Sequence, residues 1–291
     1  MDLNIIHKNE NQLGEAPVWY PQNNSFYWLD YLKNKLHSFN IVSKKIKSFD
    51  LNFKLPLGGL VAFNNNGKFL IGCASGIYSY DIINNKNLFF CDPEQRNIKT
   101  IYNDLKIDNN KSLWVSTSHI EELEKEGSLW KVNKDLTSIK VDSGFKVSNG
   151  PAFSPDNKFI YFSDTFQRRI LRYEKKDNGI SYVSNNFHEF EENDGYPDGL
   201  TVDSKGNIFV AHWGGGKISV LNKKFVIIDE IYLPAKNVTS LCFGGSDMNK
   251  IFITSAKEDT TKNDLKKFKF SGSCFLINSE YKGKPENFYS D

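Results

Sequence analysis

The chain has 291 residues, and its 37 Lys and Arg against 35 Asp and Glu leave a formal charge of +2. That balance excludes a protein built chiefly to hold nucleic acid or an anionic membrane, since such surfaces select a clustered excess of positive charge. With 39% hydrophobic residues, and with 5 Trp, 13 Tyr and 23 Phe, there is ample material for a buried core, and no apolar run approaches the roughly 18–20 residues that cross a bilayer.

The opening MDLNIIHKNENQLGE lacks the charged, apolar and small-residue layout of a secretory signal, so a cytoplasmic location is expected. Cys73, Cys91, Cys242 and Cys274 lie far apart without a CxxC, and buried free thiols are expected of them. The histidines show no HExxH or HxH spacing, and Ile218 follows GGGK where a phosphate loop needs Ser or Thr. A zinc protease and a P-loop enzyme are both excluded.

In chain order, a short run Leu3–His7 comes first and stands apart. A unit then begins at APVWYPQNNSFYWLD (Ala16–Asp30): an alternating run, a turn of Asn, Asp, Gly or Pro, and a second run rich in aromatic and β-branched residues. It returns as GLVAFNNNGKFLIGC (Gly59–Cys73), DLKIDNNKSLWVSTS (Asp104–Ser118), GPAFSPDNKFIYFSD (Gly150–Asp164), GLTVDSKGNIFVAHW (Gly199–Trp213) and SLCFGGSDMNKIFIT (Ser240–Thr254). The last apolar residues before the turns are Trp19, Phe63, Ile107, Phe153, Val202 and Phe243, at intervals of 44, 44, 46, 49 and 41 residues. Third runs follow (KLHSFN, GIYSYD, GSLWKVN, RILRYE, KISVLN, GSCFLIN), with room for a fourth. Four-stranded antiparallel units at this period are propeller blades. The sequence therefore predicts an all-β, six-bladed β-propeller with four-stranded antiparallel blades, in which Leu3–His7 adds the outer strand of the last blade. No Pro, Gly or Ser linker divides residues 1–291, so one domain is expected.

In a propeller, one offset counted from the same landmark in every blade marks a ring around the central channel. Four residues before each aligned position stand Glu15, Gly59, Asn103, Asn149, Asp198 and Thr239. Two carboxylates and two carboxamides on one ring form an all-oxygen donor set, which suits a hard cation such as Ca²⁺, Mg²⁺ or Mn²⁺. Asn and Asp also cap turns, but their common register around one axis favours a shared site.

The segments LGEAPVWYPQNNSFYWLD, YNDLKIDNNKSLWVSTS, SNGPAFSPDNKFIYFSD, YPDGLTVDSKGNIFVAHWGGGKISVL and TSLCFGGSDMNKIFITSA resemble, in order, the blocks of the SMP-30/gluconolactonase/LRE-like family. The resemblance implies a six-bladed propeller with one divalent cation on its axis: Ca²⁺ first, with Zn²⁺, Mg²⁺, Mn²⁺ or Fe²⁺ as alternatives. It matches the family's metal-binding residues to Glu15 in GEAP, Asn149 in SNG and Asp198 in PDG. It matches the channel Asn to Asn103 in YND, and a substrate-contacting Glu to Glu121 in TSHIEE.

Two departures stand out. Ile101 and Leu105 occupy places where lactonase members often carry Arg and Gly. Ile101 cannot make the bidentate contacts of Arg, so recognition of substrate hydroxyls is expected to differ there.

The implied reaction is hydrolysis of a sugar lactone, such as an aldonolactone, to the aldonic acid. Asp198 would serve as ligand and general base, with Glu121 or His119 as alternative bases, while Asn103 and Glu121 orient a small-molecule substrate. Other ester or phosphotriester hydrolysis, or calcium binding without turnover, are the alternatives on the same scaffold.

Overall fold

Successive side chains on a strand point to opposite faces, and in this chain both faces are apolar. In the strand Ser25–Asp30, Phe26 and Trp28 pack with Cys242 and Phe252 on one side, whereas Tyr27 and Leu29 pack with Phe69 and Ile71 on the other. Strands buried on both faces must lie between two other sheets. That requirement, repeated in each unit, produces a ring of stacked blades.

The computed structural model describes residues 2–176, 179–182 and 187–290. Among them are six antiparallel sheets arranged as a six-bladed propeller. The innermost strands are Gly14–Tyr20, Leu57–Ala62, Thr100–Ile107, Ser148–Phe153, Tyr196–Val202 and Asn237–Gly244. Each touches the next, and the last touches the first. Leu3–Ile6 pairs with Cys274–Asn278, in the register Leu3 to Ile277, as the outer strand of blade six. The ring is thereby closed by joining the two ends of the chain.

Blade four differs from the regular pattern. The outer flank of its long third strand, Arg169–Lys176, is shared by two short strands, Gly179–Tyr182 and His188–Glu189. The third strand is too long for one short partner, and the second occupies its other end.

Each apolar cluster sits between two adjacent blades rather than inside one sheet. Burying an aromatic or large aliphatic side chain contributes roughly 1.5–3 kcal/mol, and Trp28, Trp114, Phe26, Phe69 and Phe209 are all sealed from solvent. The four cysteines are free and buried, so no disulfide supports the ring. No helix among the described residues is long and apolar enough to cross a membrane.

One irregularity recurs in every blade. The pairing of each innermost strand with its neighbour slips by one residue: at Glu15/Val18, Gly58/Leu60, Tyr102/Asp104, Asn149/Ala152, Pro197/Leu200 and Val238/Ser240. These β-bulges coincide with the six ring positions. A bulge bends its strand and redirects the side chain beside it. Glu15 and Asn149 are each followed by a residue of positive φ, Ala16 at 48° and Gly150 at 90°, and then by proline. The fold thus turns six strand starts toward the axis by one shared device.

Candidate metal centre on the propeller axis

Two ring positions are spent on structure. The Thr239 hydroxyl donates to the Gly14 carbonyl at 2.6 Å and lies 2.9 Å from the Thr254 hydroxyl, tying blade six to blade one. The Gly59 N–H donates to the Tyr31 hydroxyl at 2.6 Å, which in turn donates to the Asn103 carbonyl at 3.0 Å. The other four positions present Glu15, Asn103, Asn149 and Asp198.

Their hydrogen bonds fix the amides and leave oxygens unspent. Asn103 Nδ2 donates to the Ser148 carbonyl at 2.9 Å and to Asn149 Oδ1 at 2.8 Å. Asn149 Nδ2 donates to Thr165 Oγ1 at 3.0 Å. With their nitrogens committed, both amides keep acceptor capacity on Oδ1. Glu15 Oε2 accepts from the Ala16 N–H at 2.7 Å. Glu15, Asn149 and Asp198 are only 9%, 5% and 7% exposed.

Acids are concentrated here, and two of them have no protein cation beside them. Burial, and then the negative charge of Asp104, push Glu15 up to about 8, against the Ala16 N–H. Burial, Glu15 and Asp104 push Asp198 well above the usual carboxylate range. Burial also lifts Asp104 to about 6, with the cation of Lys106 and the N–H groups of Gly150 and Leu105 opposing. No protein cation stands among the main influences on Glu15 or Asp198. Removing mutual repulsion by adding a positive ion is the obvious remedy.

Oxygen-only donors with two such carboxylates fit a hard divalent cation. No group of three His, Cys, Asp or Glu suited to a metal exists among the described residues. A cation at this place therefore requires the amide oxygens as well.

Asp104 was not foreseen from the sequence. Strict alternation would send it away from Asn103, but Asn103 is the extra residue of the bulge and Asp104 resumes the pairing opposite Ser116. Its Oδ2 accepts from the Gly150 N–H at 2.9 Å and its Oδ1 from the Leu105 N–H at 2.8 Å. Both oxygens are held, so Asp104 contributes charge rather than a free base.

The remaining candidates lie at the rim. Ile101 is partly buried and pairs with Ser118. The ring of His119, 6% exposed, accepts the N–H of Glu121 at 3.2 Å and of Leu123 at 3.3 Å on Nδ1, which folds its own loop. Glu121 is exposed. Its neighbour Glu122, also exposed, is the acid of this loop whose charge reaches Asp198. His212 lies inside blade five, with Nε2 2.9 Å from Ser219 Oγ. Burial and the Lys217 cation lower its pKa to about 3, so it stays neutral.

The sequence profile of the SMP-30/Gluconolactonase/LRE-like region matches residues 13–257. The chain belongs to this family. A Bacillus subtilis relative, whose name assigns sugar lactone hydrolysis only provisionally, is 30% identical over 100% of both chains. The 6-deoxy-6-sulfogluconolactonase of Pseudomonas putida is 28% identical, covering 99% of this chain and 98% of its own. Among solved structures, a calcium-binding protein named regucalcin from Agrobacterium tumefaciens superposes with a TM-score of 0.87 at 23% identity, over 98% of this chain and 97% of that one. At that identity the superposition speaks for the fold.

Against the family pattern, Leu105 has a structural counterpart. It is 1% exposed, and a Cβ added to Gly59 would stand 2.6 Å from its Cγ. Leu105 fills the space that the side-chain-free ring position of blade two leaves. The pair keeps this sector of the channel apolar.

Proposed function

We propose that this protein hydrolyses a sugar lactone to its aldonic acid with the help of one divalent cation held by Glu15, Asn149 and Asp198. The observation that carries this reading is the convergence of two buried, uncompensated carboxylates with two amide oxygens on the propeller axis. The lactonase names of full-length relatives support the substrate class.

A bound divalent ion supplies Lewis acidity toward a lactone carbonyl and acidifies a coordinated water. The residues of this chain do the rest. Asp198 is engaged through its carbonyl by Ser163 Oγ at 2.8 Å, which holds its backbone while the carboxylate keeps lone pairs for a proton. It is the general base of this proposal. Asn103, locked by two bonds through Nδ2, presents Oδ1 as a fixed acceptor for a substrate hydroxyl. Glu121 and Glu122 belong to the loop above, where they would orient the distal end of the sugar. Tyr31 is kept protonated by burial and by the acids around it, so it remains a donor to Asn103.

The test is acid release from five- and six-membered lactones that differ in hydroxylation. Because Ile101 replaces a bidentate donor with an apolar side chain, less hydroxylated lactones should have the higher kcat/KM. Ile101→Arg should move that preference toward the polyhydroxylated ring by about tenfold, the scale of one charge-assisted hydrogen bond. An unchanged ranking would show that position 101 does not read the substrate; no acid release from any lactone would remove the lactonase reading.

A further inference from the structure

The C-terminal segment 282–290 belongs to no sheet, yet it closes the end of the channel opposite the ring. Its contacts fall on the last residues of the innermost strands or just past them. The Lys282 carbonyl accepts from the Ser204 N–H of blade five at 2.7 Å, and the Gly283 N–H donates to the Met248 carbonyl of blade six at 2.8 Å. A Cβ on Gly283 would meet Phe243 Cβ at 2.2 Å, so only glycine lets the chain lie this close. Asn287 Nδ2 donates to the Ile107 carbonyl of blade three at 3.1 Å, Phe288 meets the ring of Tyr20, and Tyr289 stacks on Phe63 with centroids 5.6 Å apart. The space left between the segment and the channel floor is about 20 Å³.

One charged contact links this plug to the candidate centre. Lys106 Nζ lies 3.2 Å from Glu286 Oε1, and the two side chains are only 17% and 20% exposed. Lys106 follows Asp104 by two residues on the strand that carries Asn103. Burial works against its ammonium, but Glu286 and Asp104 outweigh burial and hold it above the ordinary lysine value. The charges therefore run along the axis as Glu15 and Asp198, then Asp104, Lys106 and Glu286. Glu286 is the only acid of the segment 282–290.

We propose that Glu286 is a positioning residue of the metal centre: it anchors the Lys106 ammonium at the floor, limits how far that ammonium neutralises Asp104, and so sets the affinity of the axis for a divalent cation. This rests on the metal-centre reading above. Without Glu286, one negative charge leaves the axis and Lys106 is free to turn toward Asp104. Both changes make the ring less attractive to a cation.

The experiment is calorimetric titration of the metal-free, full-length protein with Ca²⁺ or Mn²⁺ alone, beside its Tm. Glu286→Gln should weaken the Kd by about tenfold, the scale of one partly buried charge at short range. Glu286→Asp, which keeps the charge, should stay within about threefold of wild type. Lys106→Met should tighten the Kd by uncovering Asp104, and in that background Glu286→Gln should weaken it by less than about threefold, because only the loss of its own charge remains and coupled sites are non-additive. A Glu286→Gln variant with lowered Tm and unaltered Kd overturns the proposal and leaves the segment a purely structural plug. Should that variant not fold, an unchanged or weaker Kd for Lys106→Met has the same consequence. Failure of the wild-type protein to bind either ion defeats the metal-centre reading instead, and the proposal with it.

Discussion

Asp198→Asn is expected to lower lactone turnover at least about a thousandfold, or about 4 kcal/mol of transition-state stabilisation, while the propeller stays folded. The substitution keeps the shape of the side chain and its backbone contact through Ser163. It removes a ligand charge and the proposed base at once. In the metal-free protein the same change should be stabilising near neutral pH. Asp198 and Glu15 both have folded-state pKa values above the unfolded ones, so each lends stability below the unfolded value that is lost as pH rises through the folded value. Near neutral pH the buried Asp198 must keep a proton that the unfolded chain releases, and asparagine removes that cost. Near-normal turnover in a folded Asp198→Asn protein would refute the site; a lower Tm than metal-free wild type at pH 8 would refute the electrostatic account.

Gly58→Ala should cost more than about 4 kcal/mol of stability, or prevent folding, although it adds one methyl group. Gly58 precedes the bulge of blade two, and a Cβ there would stand 1.5 Å from the Tyr102 carbonyl oxygen and 3.1 Å from Asn103 Cα. Backbone meets backbone at this point, so no side chain can swing aside. Gly72, its partner in the register, faces the same restriction, with a Cβ only 2.0 Å from the Gly58 carbonyl oxygen. Any folded Gly58→Ala protein must shift the strand that carries Asn103 and Asp104, and should lose activity beyond its loss of stability. Gly144→Ala provides the contrast. Its φ of 96° is strained for alanine, but nothing lies within 4 Å of the added carbon, so a cost of about 1 kcal/mol is expected. Chemical denaturation of the two variants checks the difference; equal costs would mean that the blade contact is less tight than the geometry requires.

The ring was legible in the sequence because each blade reuses one solution. The turn after Trp19, Phe63, Ile107, Phe153, Val202 or Phe243 marks the same place in every repeat, and counting back four residues reaches the same bulge. The bulge itself was not legible, and Asp104 was missed for that reason: alternation assigns neighbouring residues to opposite faces, and a one-residue slip breaks that rule without any pattern of its own. The closing segment carried no signal at all. Lys282–Ser290 has neither strand alternation nor helical period, and its role comes from where blades five, six, three and two happen to receive it. The outer strand Leu3–Ile6, by contrast, followed from the need to complete the last blade.

The metal-dependent hydrolytic centre proposed above sits inside a fold that does not need the metal to stand. Six inter-blade apolar clusters support the ring, so the ion should add only the stability of mass action, about 2.7 kcal/mol at a hundredfold excess over its Kd. Its chemistry should be worth orders of magnitude in rate. The decisive measurement is lactone hydrolysis and circular dichroism on one sample, chelated until free of metal and then titrated with Ca²⁺, Mn²⁺, Mg²⁺ or Zn²⁺. The expected result is a folded, inactive protein that regains turnover with at least one of these ions; full activity after verified metal removal would contradict a metal-dependent centre.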